Sequence, residues 1–182
     1  MVMAISVASP LQAQTYQFAG IPWGSNGASV KRLMAAQSLQ FVQVDSDGDY
    51  RFEGSLAGYK AVVFALMANG SLAKVSITLV TPNNKAREEY QDMKRVLQDK
   101  YGPPTNAIEF FQSPYEAGDG YEDQAIQLGK GHFITVWINV AGVDTSDIGL
   151  QITQALNVTI GYESPKWDAE ADRRKARSTK AF

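Results

Sequence analysis

The sequence predicts an α+β domain in which two helices pack on antiparallel sheet, in the order helix, three to four strands, helix, three to four strands. Two observations lead to this prediction. Apolar residues recur at helical spacing in two segments, residues 28–37 and a longer segment that ends at Tyr101, as in helices with one buried face. Elsewhere apolar and polar residues alternate, which is typical of antiparallel strands with one wet face. The similar order in the two halves indicates a tandem pseudo-repeat, on topology alone.

The first helix is predicted over residues 28–37 because three capping residues, Ser25-Asn26-Gly27, precede apolar positions at helical spacing. From Leu39 the period changes to two. This predicts a strand that turns back at Asp47-Gly48, a dipeptide typical of hairpin turns. A buried strand, a turn and a half-buried strand complete this half, at residues 59–67, 68–71 and 75–79.

The second helix begins after the capping sequence Thr81-Pro82-Asn83-Asn84 and ends at Gly102, which two prolines follow. Its predicted apolar stripe consists of Tyr90, Met93, Leu97 and Tyr101. Four further strands are predicted, at residues 108–110, 126–128, 134–138 and 156–162. Two connections are long and rich in Gly, Asp and Ser, and the second has a predicted helical turn. They span residues 112–123 and 141–154, with the turn within 147–154.

The N-terminus resembles the apolar region and cleavage site of a secretory signal. Residues 1–11 are mainly small and apolar, and Gln12-Ala13-Gln14 follows them. A signal normally begins with a basic patch, whereas the first positive charge here is Lys31. The prediction is therefore a truncated signal peptide over residues 1–13, and a periplasmic or secreted protein. The alternative is a first strand or a disordered leader around residues 4–8.

After the leader, residues 14–163 are predicted to form one α+β domain, with two sub-lobes, 18–81 and 82–163, as a finer division. The chain has 182 residues, of which 45% are hydrophobic and 20% charged. That is enough for a core that needs neither metal nor disulfide. Residues 164–182 hold many charges and few apolar groups, so they are predicted to be a charged flexible tail.

Charge and cysteine content exclude several classes of function. Lys and Arg number 17 against 19 Asp and Glu, so the chain offers no broad positive field for nucleic acid. The absence of cysteine excludes thiolate metal sites, redox dithiols and a cysteine nucleophile. No apolar run in the sequence reaches the roughly 18 to 20 residues of a membrane span, so we expect no transmembrane segment.

No motif in the sequence indicates a known catalytic or metal site. His132 is the only histidine, and no Gly-x-Ser-x-Gly sequence is present for a serine mechanism. His132 is therefore interpreted as a hairpin-turn residue. The run Asp45-Ser46-Asp47-Gly48-Asp49 resembles the start of a calcium loop, but its glycine is misplaced and Leu56 replaces the glutamate ligand. We assign no catalytic, metal or cofactor residue, expect no cofactor, and expect a protein that is not an enzyme.

The connection 112–123 and the strand before it contain the candidates for partner binding. Aromatic side chains in a polar, Gly-rich loop are candidates for contact with a protein or a sugar-like ligand. This selects Phe111, Tyr115 and Tyr121. The alternative is that Phe110 and one tyrosine fold over the edge of the core.

A rival hypothesis starts from the acidic residues of the same region. Glu109 and Glu116, with Asp119, Glu122 and Asp123 nearby, offer carboxylates for an acid and a base. They favour a carboxylate-dependent hydrolase that acts on a glycan or envelope substrate. A solvated acidic loop is the simpler interpretation, because no spacing selects a pair.

Two short motifs and the order of the elements carry a resemblance. Gly20-Ile21-Pro22-Trp23-Gly24 after the leader and the helix end Lys100-Tyr101-Gly102-Pro103-Pro104 resemble those of a loose group of small, largely uncharacterised exported bacterial proteins. The layout is similar to the doubled helix-and-sheet architecture of the β-lactamase inhibitor proteins, which bind an enzyme through one face of a curved sheet. No inhibitory residue of that family aligns here. The resemblance implies that a sheet face is the binding surface.

These observations lead us to expect a non-enzymatic exported domain that binds a protein or a cell-envelope component. The expected contacts are an open sheet face and the segment 111–121. A structural or chaperone-like envelope accessory is a third interpretation, which the sequence does not separate from the first.

Overall fold

The structure is a computed structural model that describes residues 20–80, 82, 85–140 and 146–179, with the backbone alone at position 139. The helices are α1 (Gly27–Ala36), α2 (Ala86–Tyr101), α3 (Glu122–Gln127) and α4 (Trp167–Thr179). The strands are β1 (Leu39–Val44), β2 (Tyr50–Leu56), β3 (Tyr59–Ala68), β4 (Ser71–Leu79), β5 (Asn106–Phe111), β6 (Gly131–Val140), β7 (Ser146–Ile152) and β8 (Val158–Glu163). None of these helices is long and apolar enough to cross a membrane. The predicted leader, residues 1–13, lies outside the described residues.

The eight strands form one antiparallel sheet in the order β1-β2-β3-β4-β8-β7-β6-β5. Each half of the chain contributes a meander of four neighbouring strands, and the two meanders meet where β4 pairs with β8. The α+β class and the antiparallel sheet are therefore confirmed. The continuous sheet of eight strands is larger than the three to four strands predicted for each unit. The pseudo-repeat stays a prediction.

Helices α1, α2 and α3 contribute to one core on the same face of the sheet. α1 contacts β1 and β4, α2 contacts the strands of the second meander, and α3 contacts β6. The helix residues in this core are Val30, Met34, Ala86, Tyr90, Met93, Leu97 and Ile126. The first helix is confirmed within one residue of the predicted bounds. The side chain of Asn26 caps it by accepting a hydrogen bond from the Ser29 N–H at 2.9 Å.

The second helix is also confirmed. Tyr90, Met93 and Leu97 are buried, and Tyr101 packs half-buried against the core. Gly102 ends the helix with φ of 82°, in the left-handed region that glycine reaches without strain. Its N–H donates to the Gln98 carbonyl oxygen at 2.8 Å.

Residues 122–127 form helix α3, and the predicted strand around residues 126–128 is wrong. The buried side chains are Glu122, Ala125 and Ile126, which share one face of a helix at i, i+3 and i+4. Leu128 follows the helix and is exposed. So short a segment fits both periods, and its packing against β6 decides the outcome.

Strand β7 replaces the helical turn predicted within residues 147–154. Its burial alternates, with Ile148, Leu150 and Ile152 facing the core. Aspartate and glycine at positions 147 and 149 lower the β-propensity of this segment, so local composition favours a loop. Pairing with β6 and β8 on both edges holds the segment in the sheet.

The C-terminal residues 164–182, predicted to be a flexible tail, contain helix α4. Trp167 packs with Ala68 and Ala73, and Arg174 pairs with Asp49. Each of these contacts joins residues about a hundred positions apart, so composition alone does not reveal them. The prediction of a flexible tail is therefore corrected for Trp167–Thr179.

Candidate functional site

The face of the sheet opposite α1, α2 and α3 is named here the open face. Alternation along the strands identifies its residues. On β4, for example, Ser76 and Thr78 lie between the buried residues Val75, Ile77 and Leu79. Away from Ala68 and Ala73, which pack with Trp167 of α4, the open-face positions of the central strands are half-buried or exposed rather than buried. Most of this face is therefore accessible in the described part of the chain.

Small and uncharged residues meet in the middle of the open face. Gly149 of β7 pairs with Gly161 of β8, which pairs with Ser76 of β4. In the next row, Thr159 of β8 pairs with Gln151 on one side and Thr78 on the other. These six residues, Gly149, Gly161, Ser76, Gln151, Thr159 and Thr78, are named the central band.

Gly149 and Gly161 differ from the other described glycines. Nine glycines have a positive φ, and an added Cβ would lie within 3.0 Å of a neighbour at three more, Gly27, Gly54 and Gly131. A Cβ on Gly149 would meet nothing within 4 Å, and one on Gly161 would meet only side-chain atoms at 4.0 Å. Neither backbone conformation nor packing requires glycine at these two positions. A strand glycine often marks a place where a ligand or another backbone approaches closely.

Apolar side chains border the central band on both sides. On one side they belong to β5 and β6, and we name them the β6 flank: Ile108, Phe110, Ile134, Val136 and Ile138. On the other side they belong to β3, and we name them the β3 flank: Val62 and Phe64. Phe110 and Ile138 are 46% and 49% exposed. On the open face, the small residues of the central band thus lie between two rows of larger apolar side chains. This arrangement suits a partner with apolar side chains.

Two ion pairs lie on the open face near the central band. The Lys74 ammonium lies 2.5 Å from the Glu163 carboxylate, and the Arg51 guanidinium lies 2.5 Å from Glu53. The central band itself contains no ionisable side chain. The open face therefore favours a partner that contributes apolar groups and backbone over one that contributes phosphate or carboxylate.

The predicted partner-binding residues do not share the open face. Phe111 lies on the covered face, which is the face of the sheet that packs against α1, α2 and α3. There its ring meets Phe133 edge-on at 5.5 Å between centroids. Tyr115 is half-buried in the loop after β5, and Tyr121, directly before α3, is 60% exposed. The open face instead presents the preceding aromatic, Phe110. Phe110 and Phe111 lie on different faces of the sheet because successive strand residues point to opposite faces.

His132 belongs to strand β6, so its interpretation as a hairpin-turn residue is wrong. It pairs with Phe110 across the strands, and the two rings stack with centroids 4.8 Å apart. Its Nε2 lies 3.1 Å from the Gln112 amide nitrogen. The ring thus extends the aromatic end of the β6 flank.

Glu109 is held by side chains of α2. Lys94 Nζ lies 2.5 Å from Glu109 Oε1, and the Gln91 amide donates to Oε2 at 3.0 Å. The Tyr90 hydroxyl donates to Oε1 at 3.3 Å and lies 2.6 Å from the Thr135 hydroxyl. The carboxylate therefore ties α2 to the edge strand β5.

This environment lowers the pKa of Glu109. Burial acts to raise the pKa, but hydrogen bonds from Lys94, Gln91 and Tyr90 and the charge of Lys94 outweigh it. Burial raises the pKa of the Tyr90 hydroxyl, so this group is protonated at neutral pH. A glycosidase acid needs a raised carboxyl pKa, and the contacts of Glu109 favour a structural role.

The other acids of this region hold the loop 112–123. The Asp119 carboxylate accepts the N–H groups of Glu116 and Tyr121 at 2.9 and 2.7 Å, and these bonds lower its pKa. Glu122 accepts the Gly118 N–H at 3.0 Å, and bonds from backbone N–H groups likewise lower its pKa. Both groups are therefore ionised at neutral pH and act as loop caps.

The aspartates of the β1–β2 turn also serve the fold. Asp45 Oδ1 accepts the N–H groups of Asp47 and Asp49 at 2.9 Å each. Asp49 is buried and pairs with Arg174. Within the described ranges, no group of three or more His, Cys, Asp or Glu residues is arranged to hold a metal ion.

Sequence reasoning missed the residues of the central band. Gly149 and Gln151 fell in a predicted connection, although Ile148, Leu150 and Ile152 already alternate there. That period of two was the available signal. The pairing of Gly149 with Gly161 depends on register and is not visible in the sequence.

Comparisons with known proteins identify no relative of this chain. No protein-family model matches it, and no curated protein or solved structure matches it significantly. The resemblance to exported bacterial proteins and to the β-lactamase inhibitor layout therefore stays an expectation. The open face, with its central band and two flanks, is the candidate functional site.

Proposed function

We propose that this protein is a non-enzymatic binding module, exported from the cell, that takes a polypeptide or envelope component on its open face. The observation that carries the proposal is the pair Gly149 and Gly161 in the central band. A side chain at either position has room and is absent, which leaves the strand backbone accessible to a partner.

The apolar side chains of the two flanks indicate which kind of partner fits the open face. Full burial of one exposed large apolar side chain contributes about 1.5–3 kcal/mol. The flank residues are half-buried or about half exposed, so each contributes a fraction of this, and several together offset part of the entropy lost on association. The expected partner lays a segment with apolar side chains along the central band. The resemblance to inhibitors that bind through a sheet face supports a polypeptide partner, and the N-terminal leader supports a partner outside the cytoplasm.

The test compares capture of a partner by the wild-type protein and by Gly149→Arg. The new side chain enters open space, so the variant is expected to unfold at the same denaturant concentration as the wild type. Its length and charge obstruct the central band. A component captured from the envelope fraction by the wild type is expected to be lost.

The matched control is Val96→Arg. Val96 is 53% exposed on α2, and this helix packs on the covered face. The control makes a similar change of size and charge away from the open face and is expected to retain the partner. Retention by Gly149→Arg at full affinity would show that the open face is not the docking surface.

Export is tested separately by N-terminal mapping of the mature protein after cell fractionation. The proposal expects a mature start at Gln14 in the periplasmic or extracellular fraction. An intact Met1 in the cytoplasm contradicts export and redirects the search for a partner to that compartment.

A further inference from the structure

Helix α4 contacts the rest of the protein through a narrow stripe of four residues, two of them charged. Its non-exposed residues are Trp167, Glu170, Ala171 and Arg174, at spacings of i, i+3, i+4 and i+7. Trp167 is the only large apolar side chain among them. Helix α2, by contrast, buries Tyr90, Met93 and Leu97. Attachment of α4 therefore depends on polar contacts far more than that of α2.

The apolar contacts of α4, made by Trp167 and Ala171, lie at the end of the open face. Trp167 packs with Ala68 and Ala73, and Leu66 borders this small cluster. Leu66 is paired with Lys74, whose ammonium lies 5.0 Å from the centroid of a Trp167 ring. The tryptophan thus covers apolar surface that continues the β3 flank along strand β3.

Arg174 makes most of the polar attachment. Its guanidinium binds the Asp49 carboxylate through two bonds of 2.5 and 2.9 Å, and donates to the Met67 carbonyl oxygen at 2.7 Å. The Arg174 and Asp49 side chains are 17% and 6% exposed. One side chain therefore connects α4 to the β1–β2 turn and to the end of β3.

Besides Arg174, two further arginines of α4 make polar contacts with the turns of the sheet. Arg177 lies 3.2 Å from Asp47, and both side chains are largely exposed. Arg173 donates to the Asn69 side chain at 3.0 Å. A cleft of about 440 Å³ lies between this part of α4 and the two turns. Ion pairs across solvent are weak and are screened by salt.

We propose that α4 is a releasable cover on the open face, held in place by Arg174, and that its release extends the docking surface to Leu66, Ala68 and Ala73. The cover regulates the binding proposed above, and this regulatory role rests on that proposed function. Its release is a local opening that leaves the sheet and the main core intact.

Hydrogen exchange of the full chain, measured without any partner, tests the release. In Arg174→Ala, exchange of the α4 amides is expected to rise about tenfold or more, as the loss of charge-assisted hydrogen bonds predicts. The amides of β6 and β7, which Arg174 does not contact, are expected to keep the wild-type rates. In the wild type, raising NaCl from about 0.1 M to about 1 M is expected to raise exchange only in the last turn of α4, where the exposed Arg177–Asp47 pair is screened, because the largely buried Arg174–Asp49 pair is shielded from salt.

The matched control is Lys175→Ala, which removes a positive charge from an exposed position of the same helix. It is expected to leave α4 exchange unchanged. If Arg174→Ala and the wild type exchange α4 amides at the same rate, or if α4 opens only together with the sheet, the cover does not exist.

The surface under α4 is tested with 1-anilinonaphthalene-8-sulfonate, an anionic aromatic dye that fluoresces when its rings bind apolar surface. Arg174→Ala is expected to bind more dye than the wild type, and an added Leu66→Ser is expected to remove the increase. An unchanged dye signal means that α4 hides no apolar surface and overturns the proposal. Neither measurement needs a partner, so failure here is separate from failure of the Gly149→Arg docking test.

Discussion

Single residues of this protein divide into those that its fold requires and those that it merely accommodates. Trp137 is required, because it is buried and its indole N–H donates to the Gly102 carbonyl oxygen at 2.9 Å. That bond connects the end of α2 to β6. Gly149 is only accommodated, since a larger side chain meets nothing there. A residue of the second kind at the centre of an accessible face is the stronger indication of function.

Glu109 gives a prediction of pH dependence at this scale. Its pKa is lowered in the folded protein from the ordinary value of 4.5. The stabilisation is therefore fully present above pH 4.5 and is lost as the pH falls through the folded pKa. Glu109→Gln is expected to lower the free energy of unfolding at pH 7 by less than about 1 kcal/mol, because the ion pair with Lys94 is partly exposed.

The measurement is urea unfolding at neutral and at strongly acidic pH. The difference between Glu109→Gln and the wild type is expected to vanish at acidic pH, where the wild-type carboxyl is itself protonated. Glu116→Gln, in the exposed loop, is the control and is expected to match the wild type at neutral pH. A difference for Glu109→Gln that persists at low pH contradicts the ion-pair explanation.

At the scale of elements, α2 and α4 show two ways of attaching a helix. α2 has an apolar stripe that joins the main core, whereas α4 has one tryptophan and a set of ion pairs. Apolar burial is largely insensitive to salt, and exposed ion pairs are not. The two helices should therefore respond differently to ionic strength, although both are regular in the structure.

Adjacent residues of α2 provide a matched prediction for this difference. Leu97 is 4% exposed, and its neighbour Val96 points outward. Leu97→Ala is expected to destabilise the protein by about 2–5 kcal/mol through lost burial and a cavity. Val96→Ala is expected to change stability by less than about 0.5 kcal/mol. Denaturant midpoints measure both, and equal losses would contradict the assignment of the α2 stripe.

At the scale of the whole molecule, the two meanders share one core across the contact of β4 with β8. The buried pairs Val75–Tyr162, Ile77–Ile160 and Leu79–Val158 lie along this contact. The Trp23 indole also donates to the Ser146 hydroxyl at 2.9 Å, from the first half to the second. The halves are therefore expected to unfold together.

Chemical unfolding followed by hydrogen exchange tests this cooperativity. Peptides from β3 and from β6 are expected to lose protection in one transition. Ile160→Ala, in the shared contact, is expected to lower the stability of both meanders by about 2–5 kcal/mol. Two separate transitions, or a loss confined to the second meander, would mean that the sub-lobes 18–81 and 82–163 are independent units.

The sequence by itself determined the α+β class, helices α1 and α2, and most of the strands, although not β7. These features depend on residues a few positions apart, so local periodicity, caps and turns report them. The glycine after α2 and the Asp47-Gly48 turn belong to this group. It also led to the expectation of an open sheet face and to the outward polar positions of β4, such as Ser76 and Thr78, but not to the central band as a whole.

Tertiary structure alone decided the features that carry the proposed function. The union of two meanders into one sheet, the pairing of Gly149 with Gly161 and the attachment of α4 through Arg174 and Asp49 all join distant parts of the chain. Such contacts leave no local period in the sequence. The same cause explains the errors at α3 and α4. At β7 a period of two was present, but Asp147 and Gly149 lower the β-propensity of the segment, and pairing with β6 and β8 decided the strand.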